Sequence, residues 1–216
     1  MKKAPFIVFE GIDGCGKTSV VQAVGCEFPG IKITREPGGT PLAEDIRDLL
    51  LSEKGAILSP KEQMTLFFAA RSIHLETLIE PLRFKGIPVV SDRFDLSTFA
   101  FQKCMKIDGT FDVELFTRFT QLKDSVVFGK DPSLYVYLEV DPKVGVARRA
   151  VAKNQELNHF DLASLEEQYR RDASYKHILG SVKNSGTSKV VFVDANKSKE
   201  DVLRQCLDIV REELSF

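Results

Sequence analysis

The sequence lacks a charge of one sign, paired cysteines, long apolar runs and repeats, and each lack argues against a class of protein. Its 30 Lys and Arg against 31 Asp and Glu leave a net charge of −1 and a pI near 6.3. A protein that coats duplex nucleic acid normally needs a basic excess, so no nucleic-acid partner is expected. The cysteines, at 15, 26, 104 and 206, form no close pair. That spacing suggests neither a zinc site nor a redox motif, and a disulfide scaffold is not expected at this size; a reducing cytoplasm fits. No stretch approaches the roughly 18 apolar residues of a membrane span. Lys2 and Lys3 before Phe6 to Phe9 have the outline of a signal peptide, but the apolar run is too short and leads into a glycine loop. It is read as a strand. His74, His159 and His177 sit in no nucleophile or metal pattern and receive no chemistry. Only the stretches 124–131, 154–159 and 183–189 read as loose.

What is present is an ordinary globular composition over 216 residues, 43% hydrophobic and 28% charged, which implies one domain spanning 1–216. Short runs rich in Val, Ile and Phe recur at Phe6 to Glu10, Ile31 to Thr34, Ile87 to Ser91, Leu134 to Val140 and Val190 to Val193, with helical patterns between them. Strands alternating with helices predict an α/β fold: a parallel five-stranded sheet with helices on both faces and ligands beyond the carboxyl ends of the strands.

The first run enters Gly11, four residues, then Gly16-Lys17-Thr18, the spacing of a P-loop. Amide N–H groups must converge on a phosphate chain there, and Gly11, Gly14 and Gly16 permit it. Lys17 adds a positive charge for the phosphates, Thr18 a hydroxyl for Mg²⁺, and the following helix its positive dipole end. Cys15 reads as a small filler. At the second strand's end, Arg35-Glu36-Pro37-Gly38-Gly39-Thr40-Pro41 makes a rigid turn, with Thr40 and Pro41 as N-cap and first residue of a helix to about Leu51. A surface turn explains the Pro and glycines but not Arg35. A longer helix is predicted from about Lys61 to Lys85, its stripe Met64, Phe67, Phe68, Leu75, Leu78 and Leu82, with a kink or early end at Pro81. Arg71 shares the stripe, one turn after Phe67. The pair would set an aromatic face and a hydrogen-bonding fork beside a planar ligand, unless Arg71 snorkels outward or meets an internal carboxylate. The third strand ends in Asp92-Arg93, where a P-loop enzyme places a carboxylate for the Mg²⁺ water shell and an arginine for a second phosphate, although a surface salt bridge would have the same sequence. Phe94 to Gln102 closes a nucleoside pocket or begins an amphipathic helix. After the fourth strand, a lid segment around 144–161 carries Arg148, Arg149 and Lys153, a solvated helix face in most contexts and a mobile basic cover beside a phosphate site.

Together these stretches resemble thymidylate kinases, enzymes that phosphorylate dTMP to dTDP with MgATP. The resemblance rests on FEGIDGCGKT, TREPGGT, FFAAR with the following HLE, and SDRFDLSTFAFQ, in that order. It implies an ATP cradle from Gly11, Ile12, Asp13, Gly14, Cys15, Gly16, Lys17, Thr18 and Ser19, with Thr18 and Asp92 toward Mg²⁺. Asp13 would also face the sugar 3′-hydroxyl, Arg93 would hold the acceptor phosphate, and Glu36 and Arg35 would lie near the sugar. Phe67 would stack on thymine, Arg71 would bond its carbonyl edge, and Thr98 and Ser97 would stand close by. Phe101 would crowd out a 2′-hydroxyl, with Gln102 completing that wall. A cytoplasmic homodimer is implied as well.

The departures are specific. Gly14 stands where one branch of the family has an arginine, which assigns the catalytic arginine to the lid, at Arg148 or Arg149 with Lys153 assisting. Phe94 and Phe101 replace a common tyrosine, so discrimination against ribose would rest on shape. Asn158-His159-Phe160-Asp161 replaces a frequent Asp-Arg-Phe-Glu, so one lid arginine is missing. Two rival readings stay open: a kinase acting on another nucleoside or nucleotide, and a nucleotide-dependent switch. No Asn-Lys-x-Asp motif for reading GTP is present.

Overall fold

The computed structural model describes residues 3–151 and 158–215; Lys153 lies outside them. Five strands, β1 (Phe6–Glu10), β2 (Lys32–Arg35), β3 (Val89–Asp92), β4 (Leu134–Glu139) and β5 (Lys189–Asp194), form one parallel sheet in the order β2-β3-β1-β4-β5. Each predicted run is a strand, with ends shifted by up to two residues. All of β1 is buried, as expected of a central strand covered on both faces. In register, Phe9 and Arg35 both stand beside Asp92, so β1, β2 and β3 deliver their last residues to one edge.

The helices are α1 (Lys17–Glu27), α2 (Pro41–Leu51), α3 (Glu53–Ala56), α4 (Pro60–His74), α5 (Glu80–Phe84), α6 (Asp95–Phe101), α7 (Val113–Val127), α8 (Pro142–Val151), α9 (Leu165–Ser185) and α10 (Lys199–Leu214). Side-chain caps start several of them: Ser59 and Glu62 form a reciprocal capping box on α4, and Asp112, Ser164 and Ser198 accept first-turn amides. Thr40 precedes α2 as expected but makes no cap bond; Glu44 reaches back to the Gly39 amide instead, at 2.7 Å. The predicted loose stretch at 124–131 is partly the last turn of α7, and α9 runs on to Ser185. Phe119 of α7 meets Phe68 and Phe99 at centroid distances of 5.8 and 5.3 Å, tying α7 to α4 and α6.

The long helix departs from expectation at Pro81. It does not stop there: a π turn, Leu75–Ile79, joins α4 to α5, which runs through Pro81 to Phe84. Proline has no N–H and its ring crowds the carbonyl four residues back, and widening the preceding turn accommodates it. The extra residue also rotates the apolar stripe, so Ile79 is buried and Leu78 only half-buried. Among the described residues, no helix is long and apolar enough to cross a membrane.

Candidate active site

The loop after β1 uses its glycines as expected, with φ of 152° at Gly11, 78° at Gly14 and 96° at Gly16, all conformations that side chains disfavour. Lys17 is buried and folds back on the loop, donating to the carbonyls of Gly11 and Ile12 at 2.8 and 2.9 Å. Ile12 and Cys15 pack inward, Cys15 with its sulfur 3.3 Å from Lys17 Nζ, and Ser19 faces outward on α1. Across the gap, Thr18 Oγ1 donates to Asp92 Oδ2 at 2.7 Å. One hydroxyl and one carboxylate, both hard oxygen donors, suit a Mg²⁺ ion that keeps several of its waters.

Asp13 turns away from that pair. Its carboxylate accepts from Arg93 Nη2 at 2.6 Å and Arg171 Nη1 at 3.2 Å, with Arg149 Nη1 3.6 Å away. Burial works to raise its pKa, but Arg93, Lys17, Arg171 and Arg149 outweigh it and hold the carboxyl below the ordinary aspartate value. Arg93 has a left-handed backbone, φ 72°, unusual for a side chain of this size. Its surroundings fix it there: its amide donates to Phe9, Ser91 Oγ donates to its carbonyl, and Nη1 reaches the Gly11 carbonyl, Ser97 Oγ and Tyr175 OH at 3.1 to 3.2 Å.

Several residues expected around the acceptor bond one another. Glu36 accepts from Arg71 Nε at 2.7 Å, so Arg71 has the internal carboxylate partner that the sequence left open, while Arg35 pairs with Glu44 at 3.0 Å. Arg71 also reaches the Phe94 carbonyl and Thr98 Oγ1, at 3.0 and 3.1 Å. The Phe67 ring lies 5.9 Å from Phe160, and the Phe101 ring lies 6.1 Å from the same Phe160. Gln102 is fully buried and donates weakly to Gln63.

The two arginines of α8 part company. Arg149 turns toward the loop and pairs with Asp161 at 2.6 Å, whereas Arg148 donates to the Ala195 carbonyl past the end of β5. Gly145, one turn before Arg149, packs on the loop itself: a Cβ on Gly14 would lie 2.1 Å from the Gly145 carbonyl oxygen. An arginine at position 14 has no room beside α8 in this arrangement.

A family model described as thymidylate kinase matches residues 9–206. The chain belongs to the thymidylate kinase family. Curated thymidylate kinases agree along its length: that of Hahella chejuensis is 35% identical over 209 residues, covering 94% of this chain and 93% of its own. Those of Haemophilus ducreyi, 33% identical with 99% and 96% covered, and Mesoplasma florum, 32% identical with 98% and 97%, are similar to it over the same span. As a family member this chain is a kinase of the P-loop α/β type, and the family reaction is phosphorylation of dTMP with ATP.

Within this thymidylate kinase fold, sequence reasoning missed four residues of the site. Glu10, fully buried, accepts from the amides of Phe94 and Ser97 and from Ser97 Oγ. Tyr175 joins that network through Ser97 and Arg93. Arg171 stacks 4.0 Å over the Phe101 ring and donates to the Phe160 carbonyl. His74 holds the second oxygen of Glu36. Glu10 belongs to the FEG motif and His74 follows FFAAR, so both had a signal in neighbouring motifs. The α9 residues had none, because a polar helix face reads as solvated.

Proposed function

We propose that this chain transfers the γ-phosphoryl group of MgATP to the phosphate of dTMP, giving ADP and dTDP. One observation carries the reading: Asp92 and Arg93, consecutive at the tip of β3, serve opposite sides of the site. Asp92 meets the P-loop hydroxyl of Thr18, and Arg93 meets Asp13 on the acceptor side.

In this reading Gly11 to Ser19 cradle the donor phosphates, and Lys17 exchanges its two carbonyl partners for phosphate oxygens. Mg²⁺, bound by Thr18 and by water on Asp92, would neutralise charge on the phosphates. Arg93 holds the acceptor phosphate in line, and Asp13 fixes the 3′-hydroxyl side of the sugar, with Glu36 and Arg35 nearby. Phe67 stacks on the base, Arg71 and Thr98 meet its polar edge, and Ser97, Phe101 and Gln102 wall the sugar. Arg149 brings the lid cation; Lys153 assists it. A loose phosphoryl-transfer transition state needs alignment and charge neutralisation more than a strong base, and this cation set supplies both. We place the enzyme in the cytoplasm as a homodimer, with exposed Leu42 and Leu49 on α2 as apolar surface for a second copy.

ADP release from MgATP, measured side by side with dTMP, dUMP, dCMP, UMP and thymidine, tests the reading. Turnover concentrated on dTMP is expected. Turnover on thymidine, or on no acceptor, would refute it.

A further inference from the structure

The REPGGT turn and the FFAAR helix are joined by a residue to which phosphoryl transfer gives no task. His74 ends α4, three residues after Arg71, and its ring is fully buried. Nδ1 lies 2.9 Å from Glu36 Oε1, and Nε2 lies 2.8 Å from Thr34 Oγ1. The other oxygen of Glu36 accepts from Arg71 Nε. A carboxylate only accepts, so Nδ1 carries a proton and the orientation of the ring is set. Gly39 belongs to the same unit: a Cβ there would stand 2.5 Å from both His74 Nε2 and Thr34 Oγ1. The second glycine of the turn is the space the ring occupies.

Arg71 is thereby held on three sides. Glu36 takes Nε, and the Phe94 carbonyl and Thr98 take Nη2. The rings of Phe68 and Phe94 flank its guanidinium at 4.7 and 5.2 Å. Its remaining nitrogen, Nη1, is buried without a hydrogen-bond partner among the described residues. A buried donor left unpaired is costly, and here a ligand acceptor would satisfy it.

We propose that His74 is a positioning residue for base recognition: through Glu36 it fixes the Arg71 guanidinium so that Nη1 meets a pyrimidine carbonyl. The inference rests on the dTMP kinase reading above. An N–H donor pairs with the O4 carbonyl of thymine or uracil and meets a competing donor in the amino group of cytosine. A guanidinium free to pivot loses that distinction, so the role has a signature that holding the turn to the helix lacks.

The test compares wild type, His74→Leu and His74→Asn in steady-state turnover on dTMP and dCMP, with thermal unfolding of each. His74→Leu removes the donor to Glu36; His74→Asn sets an amide N–H near the Nδ1 position. For His74→Leu we expect KM for dTMP to rise about tenfold and the dTMP-to-dCMP ratio of kcat/KM to shrink about fivefold, with KM for ATP within about twofold. His74→Asn should recover most of both losses. Should His74→Leu fail to fold, Thr34→Val, which removes the hydroxyl on Nε2, is expected to narrow the same ratio. A ratio unchanged in every folded variant overturns the inference while leaving the reaction standing. Wild-type protein without dTMP turnover ends the reading and the inference together.

Discussion

Asp13 decides what the arginines around it can do. Its carboxylate faces Arg93, Arg171 and Arg149 at once, while Asp161 and Glu167 hold Arg149 and Arg171 from other sides, so the three guanidiniums are gathered at one point. Which arginine of α8 joins it follows from helix geometry. Successive residues on a helix point about 100° apart, whereas residues four apart share a face. Gly145 rests on the loop, so Arg149 points into the site and Arg148 toward Ala195. Arg149→Ala should therefore lower kcat on dTMP by about 10²-fold or more, the usual loss when one donor to developing charge is removed, with a smaller change in KM. Arg148→Ala should stay within about threefold of wild type. Steady-state ADP release decides it, and equal losses in the two variants would remove Arg149 from its role. The sequence placed both residues in one basic run and had no means to choose, because the choice depends on a contact with Asp13 more than a hundred residues away.

The start of α6 is held from β1. Glu10 Oε1 accepts from the amides of Phe94 and Ser97 at 2.9 and 3.1 Å, and Oε2 accepts from Ser97 Oγ at 2.7 Å. Burial pushes the Glu10 carboxyl up from 4.5 to about 7, although Arg93, Ser97 and the Phe94 amide oppose it; Asp95 adds to the rise. A carboxyl with a raised pKa binds its proton more tightly folded than unfolded. Its contribution to stability is complete below pH 4.5 and is lost as pH rises through about 7. The difference between those values corresponds to about 3 kcal/mol. Glu10→Gln removes this titration. Wild-type stability minus that of the Gln variant, from urea unfolding, should fall by about 3 kcal/mol between acid and mildly alkaline pH. The acid lability of Asp13, Asp95 and Glu167, whose carboxyls are held below their ordinary values, cancels in that difference. A flat difference would mean that Glu10 binds its proton equally tightly in the folded and unfolded chain.

Across the whole molecule, what the sequence made legible was whatever local physics determines. Five Val, Ile and Phe runs are five strands, and the glycine spacing is a P-loop with three left-handed or extended glycines. The order β2-β3-β1-β4-β5 was not legible, since pairing is settled by packing between distant segments. For the same reason Arg171 was invisible beside an Asp13 that lies 158 residues away in sequence. The contact between α8 and the loop shows how two such distant positions set each other. Gly14 and Gly145 meet face to face: a Cβ on Gly145 would lie 2.7 Å from the Asp13 carbonyl oxygen, a backbone atom that cannot yield without deforming the loop. A glycine inside a helix costs about 1 kcal/mol relative to alanine, so α8 keeps Gly145 at the expense of its own stability. The return is close approach of α8 to the loop, which sets Arg149 beside Asp13 and, in the proposed reaction, would bring it to the phosphates. Gly145→Ala should then lower the melting temperature, because the added methyl meets a backbone oxygen, and lower kcat on dTMP about tenfold, because the lifted helix withdraws its arginine. Combined with Arg149→Ala, it should add little to the loss from the arginine alone, since both act through one contact. Unchanged turnover in Gly145→Ala, or a double variant whose losses simply add, would show that the two glycines only fill space.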